Sequence, residues 1–136
     1  MTNFNHRTTA EAVELYQATG EVFKGLIREV RELSKKKPDA ILSKGKVKII
    51  NRALSDLLIV LDKEPERKFL DLLDDEDLPQ TSDAVLVMVQ YESALVEFPK
   101  RYFVNVRTKP SAYGGWDHAK YWLTEKLDLS KFPDQG

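Results

Sequence analysis

The chain has 136 residues, of which 42% are apolar and 32% charged, and its 21 basic and 22 acidic side chains leave a net charge of −1. A compact chain of this length buries roughly two-thirds of its unfolded surface, which is enough for one hydrophobic core. The composition excludes a disordered chain and a membrane protein. We therefore expect one globular domain over residues 1–136, with residues 127–136 as an irregular tail.

Missing residue types exclude several kinds of functional site. The chain has no cysteine, which excludes disulfides, thiolate metal sites, iron–sulfur clusters and cysteine nucleophiles. Its two histidines, His6 and His118, are too few for a multi-histidine metal centre. It also contains no apolar stretch of membrane-spanning length and no segment resembling a signal peptide. We expect a cytoplasmic protein without a cofactor and without membrane contact.

The first predicted helix covers about residues 8–37. Its apolar residues follow each other at alternating steps of three and four, which is the pattern of a helix with one buried face. Thr8 and Glu11 have the spacing of a capping box, in which each side chain accepts a hydrogen bond from a free backbone N–H. Gly20 and Gly25 each cost about 1 kcal/mol relative to alanine inside a helix. They indicate either a weaker helix or the close approach of a neighbouring element.

Two further helices are predicted in the next part of the chain. Residues 43–61 carry leucine, isoleucine and valine on one side and Lys44, Lys48 and Arg52 on the other, the pattern of an amphipathic helix. A third, shorter helix is predicted to begin at Pro65, because proline is well tolerated at the first helical position. The acidic residues that follow it are predicted to form a solvated helix end or loop.

The last third of the chain is predicted to contain two more helices. Residues 84–98 keep helical spacing, although the β-prone run at 85–89 leaves a strand as an alternative. The sequence leaves open whether residues 99–107 continue this helix or form an extended segment. A loop is predicted over 109–115 and a short final helix over 117–127. Together the elements predict an all-α fold, an antiparallel helical bundle of about four main helices plus a short C-terminal helix.

Charge is distributed unevenly along the chain. Residues 28–52 contain nine basic and three acidic side chains, a net charge of +6. Such a segment indicates a patch that binds the phosphates of a nucleic acid. The alternative is a solvated helix face, because the segment has no aromatic residue and the pI of the chain is about 6.1. The candidate phosphate-binding residues are Lys35, Lys36, Lys37, Lys44, Lys48 and Arg52.

Residues 62–83 have the opposite charge, with nine acidic and three basic side chains and a net charge of −6. Asp71, Asp74 and Asp77 follow each other at intervals of three, so on a continuous helix they would share a face and offer oxygen ligands to Mg²⁺. The alternative is an exposed helix end. The two opposed segments also predict complementary surfaces that meet within one chain or between chains.

Aromatic residues are concentrated near the C-terminus, where eight of the 13 lie in the last 39 residues. Tyrosine and tryptophan close to arginine are typical of a protein interface hot spot or of a stacking site. The alternative is that these side chains anchor the final helix to the bundle. The candidate partner-binding residues are Tyr102, Tyr113, Trp116, Tyr121 and Trp122.

No complete catalytic arrangement is recognisable in the sequence. His118, beside Asp117, has the chemistry of a general acid or base, but single histidines of this kind are more often structural. The first hypothesis is therefore a non-enzymatic protein–protein interaction module of a regulatory, adaptor or immunity type, including self-association into a homo-oligomer. The second is a nucleic-acid-binding protein that uses residues 28–52, and the third is a metal-dependent phosphohydrolase that uses residues 62–83.

Overall fold

The computed structural model describes residues 4–136 and contains three α-helices followed by a two-stranded antiparallel sheet. The prediction of an all-α four-helix bundle is therefore wrong, and the fold is α+β. The elements are α1 (Ala10–Lys36), α2 (Lys44–Val60), α3 (Thr81–Tyr102), β1 (Phe103–Pro110) and β2 (Trp116–Trp122), with short 3₁₀ helices at Pro65–Phe69 and Leu129–Lys131.

The first two helices begin at side-chain caps. At α2 the cap is Ser43, whose Oγ accepts a hydrogen bond from the backbone N–H of Lys46 at 3.2 Å. At α1 the cap is Thr9 rather than the predicted Thr8. The backbone N–H of Thr8 instead donates to the carbonyl of Leu123 at 2.9 Å. The helix begins one residue later because the preceding residue is held by the C-terminal part of the chain.

The third predicted helix is only the five-residue 3₁₀ helix Pro65–Phe69, and residues 70–80 contain no helix. Side chains from two helices hold this segment by its backbone. The Asn51 amide donates to the Leu73 carbonyl at 2.8 Å and accepts from the Leu73 N–H at 2.9 Å. The Tyr91 hydroxyl donates to the Asp71 carbonyl at 2.8 Å. These hydrogen bonds pair backbone groups that would have bonded to each other within a longer helix.

The predicted helix at 84–98 is confirmed, and it is longer than predicted. α3 runs through Pro99 to Tyr102, where the chain passes directly into β1. Because proline has no backbone N–H, the helical hydrogen bond from residue 99 to the Leu95 carbonyl cannot form, and the helix ends three residues later. The alternative strand at 85–89 does not form. Over the described part of the chain, no helix has both the length and the apolar character that crossing a membrane requires.

The predicted final helix over 117–127 is wrong, because residues 116–122 form β2. The two strands pair from Phe103 opposite Trp122 to Pro110 opposite Trp116. The loop between them was predicted, and its Gly114 and Gly115 have φ values of +98° and +71°, a backbone conformation that favours glycine. Burial alternates along β2 between exposed and partly buried residues, which is the period of a strand.

The core is formed by side chains of all three helices and of residues 70–73. α1 packs against both α2 and α3, and the hairpin is attached through aromatic rings. The Phe98 ring centroid lies 5.1 Å from that of Tyr16, 5.0 Å from that of Tyr102 and 5.9 Å from that of Trp122. The largest fully buried side chains of the helices are Phe23, Ile50, Leu54, Leu57, Met88, Tyr91 and Phe98.

Replacing Gly25 by alanine is expected to raise the free energy of unfolding by about 0.5–1 kcal/mol, because alanine loses less backbone entropy in a helix. A Cβ added at Gly25 or Gly20 would meet no heavy atom within 4 Å, so the close approach of a neighbour does not occur. Urea unfolding measures the change. Ala18→Gly, at an exposed position of the same helix, should lower stability by a similar amount, and a destabilised Gly25→Ala would contradict this account.

Candidate functional site

The six candidate phosphate-binding residues are separated into two groups. Lys44, Lys48 and Arg52 are exposed and spaced by four on α2, so they form one stripe on its outer side. We call these three residues the basic stripe. Lys35, Lys36 and Lys37 lie at the end of α1, where Lys36 and Lys37 line a hollow of about 280 Å³ together with Lys46.

The acidic segment is attached along the first half of α2 at two points. Asn51 holds Leu73 next to the middle of α2, and the backbone N–H of Leu42 donates to the Pro79 carbonyl at 3.0 Å near the start of α2. Residues 74–77 are bracketed between these two attachments, alongside the half of α2 that carries Lys44 and Lys48. We call residues 74–77 the acidic turn, and the basic stripe with the acidic turn the bipolar face.

The acidic turn is organised by its own backbone. One carboxylate oxygen of Asp74 accepts hydrogen bonds from the backbone N–H groups of Glu76 at 2.9 Å and Asp77 at 3.0 Å. These bonds hold the pKa of Asp74 below its ordinary value. The helical face that Asp71, Asp74 and Asp77 were predicted to share does not exist. Among residues 4–136, no three histidine or carboxylate side chains are grouped so as to hold a metal ion.

The five candidate partner-binding aromatics do not form one surface. The Tyr102 ring contacts that of Phe98, and the Trp122 ring contacts those of Phe98 and Phe103. The Tyr121 ring packs edge-on against that of Phe132. The side chains of these three residues therefore pack within the fold. Tyr113 and Trp116 lie at the free end of the hairpin, where they are 99% and 38% exposed. Of the five candidates, only Tyr113 and Trp116 are exposed.

His118 lies on β2, exposed, opposite Arg107 on β1. Its sequence neighbour Asp117 points to the other face of the strand and is paired in register with Lys109. The neighbouring carboxylate that made His118 a candidate general acid or base is therefore directed away from it.

A polar cluster that the sequence does not reveal joins the 3₁₀ helix at 65–69 to the end of α3. The Arg101 guanidinium donates to Glu64 at 3.1 Å and to Glu66 at 2.9 Å, and makes a second bond to Glu66. The Tyr102 hydroxyl donates to the Glu64 carboxylate at 2.9 Å. The Glu64 side chain is only 4% exposed. Since these partners are separated by 35–38 positions, no local pattern could predict them.

The cluster is satisfied within itself, which indicates a structural role. The hydrogen bond from Arg101 holds the pKa of Glu66 below its ordinary value, and the pKa of Arg101 is raised by Glu66 and Glu64. In the described part of the chain every buried side-chain nitrogen and oxygen has a hydrogen-bond partner. The charges of the cluster are paired with one another.

Stability is expected to fall between about pH 10 and pH 12. Burial raises the pKa of Tyr91 and of Tyr102 to about 12, against about 10 in the unfolded chain. Because the folded pKa is the higher one, the stabilisation is complete below pH 10 and is lost as the pH rises to 12. Urea unfolding across this pH range should show that Tyr102→Phe loses less stability than the wild type does. Tyr113→Phe, at a fully exposed ring, should behave as the wild type, and identical profiles for Tyr102→Phe and wild type would count against this explanation.

Comparison with protein families, with curated proteins and with solved structures finds no match to this chain.

Proposed function

We propose that this protein is a non-enzymatic protein–protein interaction module that pairs with a second copy of itself through the bipolar face. The supporting observation is that the basic stripe and the acidic turn, whose flanking residues are attached along the same half of α2, are both exposed and carry opposite charges. Within residues 4–136, no ion pair joins a basic side chain of the stripe to a carboxylate of the turn. A cytoplasmic location is part of the proposal, because a chain without cysteine fits a reducing compartment.

Two-fold symmetry would use both halves of the face at once. In a two-fold interface the same patch occurs on both subunits. The basic stripe of one chain would therefore contact the acidic turn of its partner, and the acidic turn of the first chain would contact the basic stripe of the partner. Opposite charges across the interface fix this orientation and speed up association. Exposed apolar side chains on the same two segments offer area to bury, since Ile59 in α2 is 54% exposed and Leu72, two residues before the acidic turn, is 45% exposed.

The same geometry disfavours nucleic acid as the ligand of the basic stripe. Carboxylates in the segment attached along the same half of α2 reduce the positive potential that a polyanion would meet. The stripe also has no aromatic side chain on which a base could stack. A second copy of this chain carries an acidic turn of its own, which makes it the better complement.

Sedimentation velocity at low and high salt tests the proposal. We expect a dimer in about 50 mM salt whose dissociation constant rises at least tenfold in about 500 mM salt, because exposed charges are screened. The variant Lys44→Glu/Lys48→Glu/Arg52→Glu should be monomeric. A control with the same charge change at exposed residues outside the face, Arg28→Glu/Lys126→Glu/Lys131→Glu, should still dimerise. A monomeric wild type at low salt, or equal dissociation constants for the two variants, would exclude this interface.

A further inference from the structure

The hairpin presents one face whose paired side chains share a chemical character. Residues directly opposite each other in an antiparallel pair lie on the same face. Asn105 pairs with Lys120 and Arg107 with His118, and all four side chains donate hydrogen bonds when histidine is protonated or suitably oriented. Three of them, Asn105, His118 and Lys120, are exposed. No carboxylate occupies these paired positions.

The cations of this face lie over aromatic rings. The Arg107 guanidinium is 5.4 Å from the centre of the Trp116 ring, and the Lys120 ammonium is 5.6 Å from the centre of the Phe103 ring. Beyond Trp116, at the end of the hairpin, the Tyr113 ring is 99% exposed. Along this face, the two pairs that carry Lys120 and Arg107 therefore lie between pairs that carry aromatic rings.

Arg107 is held in place at the edge of a polar hollow. The hollow has a volume of about 350 Å³ and is lined by Phe4, Asn105, Arg107, His118 and Gln135. The Gln135 side chain accepts from the backbone N–H of Arg107 at 2.7 Å and donates to its carbonyl at 3.1 Å. The guanidinium donates to the Asp134 carbonyl at 3.3 Å. This part of the strand is fixed by the C-terminal residues, and its cation faces a space open to a ligand.

We propose that this face of the hairpin binds single-stranded nucleic acid, with phosphates on Arg107 and Lys120 and bases stacked on Tyr113 and Trp116. Proteins that bind single strands combine a cationic track for the backbone with aromatic side chains for successive bases. Exposed rings reach bases only where these are unstacked, which favours a single strand over a duplex. The site is separate from the bipolar face, which contributes no residue to it.

Fluorescence anisotropy with labelled oligothymidylate and oligouridylate of about 20 nucleotides tests this site. Arg107→Gln/Lys120→Gln should weaken binding at least tenfold and reduce the slope of log K against log salt by about 1.4, since each phosphate contact on a single strand contributes about 0.7. Tyr113→Ala and Trp116→Ala should each weaken binding about 5-fold or more through lost stacking. A matched charge control, Lys63→Gln/Lys68→Gln, should bind within about twofold of the wild type.

Three results would overturn the proposal: no binding by the wild type at about 100 µM in about 50 mM salt, tighter binding of a duplex of the same length, or loss of binding in Lys44→Gln/Lys48→Gln/Arg52→Gln with hairpin variants that bind as the wild type. Circular dichroism and thermal unfolding establish that each variant is folded. Tyr113→Ala keeps the test decisive if Trp116→Ala does not fold, because the Tyr113 ring is fully exposed. Sedimentation of Arg107→Gln/Lys120→Gln separates this site from self-association, which should be unchanged.

Discussion

Replacing Phe98 by alanine is expected to lower the free energy of unfolding by about 3–5 kcal/mol. Its side chain is 0% exposed, and its ring is within 6 Å, centre to centre, of the rings of Tyr16, Tyr102 and Trp122. Alanine would remove the ring that joins α1, α3 and β2 and would leave a cavity that these neighbours fill only in part. The hairpin should lose its attachment to the helices at the same time.

Urea unfolding measures the loss of stability, and the fluorescence of Trp122 and Trp116 reports the loosened hairpin. Phe69→Ala is the matched control, because the Phe69 side chain is 60% exposed and should cost less than about 1 kcal/mol. If the two alanine variants were equally stable, the aromatic cluster would not be what holds the hairpin to the helices.

The second large effect is expected for Arg101→Met, which should cost about 3–5 kcal/mol. The Arg101 guanidinium is the cation that faces the buried Glu64 carboxylate and the Glu66 carboxylate. Methionine keeps much of the side-chain volume but leaves Glu64 buried without its positive partner. An uncompensated buried charge is far more costly than the ion pair is favourable.

Two comparisons identify the charge as the cause. Lys100→Met, one residue earlier in a lysine that is 63% exposed, should change stability by less than about 1 kcal/mol. Glu64→Gln/Arg101→Met should be more stable than Arg101→Met alone, because the buried charge is then absent. Equal stabilities of the double and single variants would contradict this cause.

The pH dependence of the Arg101→Met effect has a definite sign. Arg101 lowers the pKa of Glu66 in the folded protein, so this stabilisation is present above the unfolded value of about 4.3 and is lost as the pH falls through the folded pKa. The difference in the free energy of unfolding between the wild type and Arg101→Met should therefore become smaller below about pH 4.

The helices could be predicted from the sequence because their apolar spacing extends over many turns. The second helix was predicted from about residue 43, and in the structure Ser43 is the cap that precedes α2. The hairpin was missed because β2 has only seven residues, and its aromatics fit a short helix as well as a strand. Its pairing partner, β1, lay in the stretch that the sequence left open. Strand pairing depends on contacts between such separate segments, whereas a helix is visible within its own window.

For the candidate site, composition predicted the opposed charges but not their arrangement. The bracketing of the acidic turn beside α2 depends on Asn51, whose side chain bonds both backbone groups of Leu73 at a separation of 22 residues. A lone asparagine in an amphipathic helix carries no signal of such a contact. The predicted metal site depended on a helix, because only on a helix does a spacing of three residues place three aspartates on one face. The structure has no helix over these residues.

Mixing two charge-reversed variants tests self-association through the bipolar face most directly. Lys44→Glu/Lys48→Glu/Arg52→Glu would make the face acidic throughout. Asp75→Lys/Glu76→Lys/Asp77→Lys would make it basic except at Asp74, whose carboxylate organises the turn and is kept. In sedimentation velocity at low salt, we expect each variant alone to be monomeric, because like charges would meet across the interface. An equimolar mixture should form a one-to-one heterodimer that dissociates in high salt. A mixture that stays monomeric, or a variant that dimerises alone as the wild type does, would contradict pairing through this face.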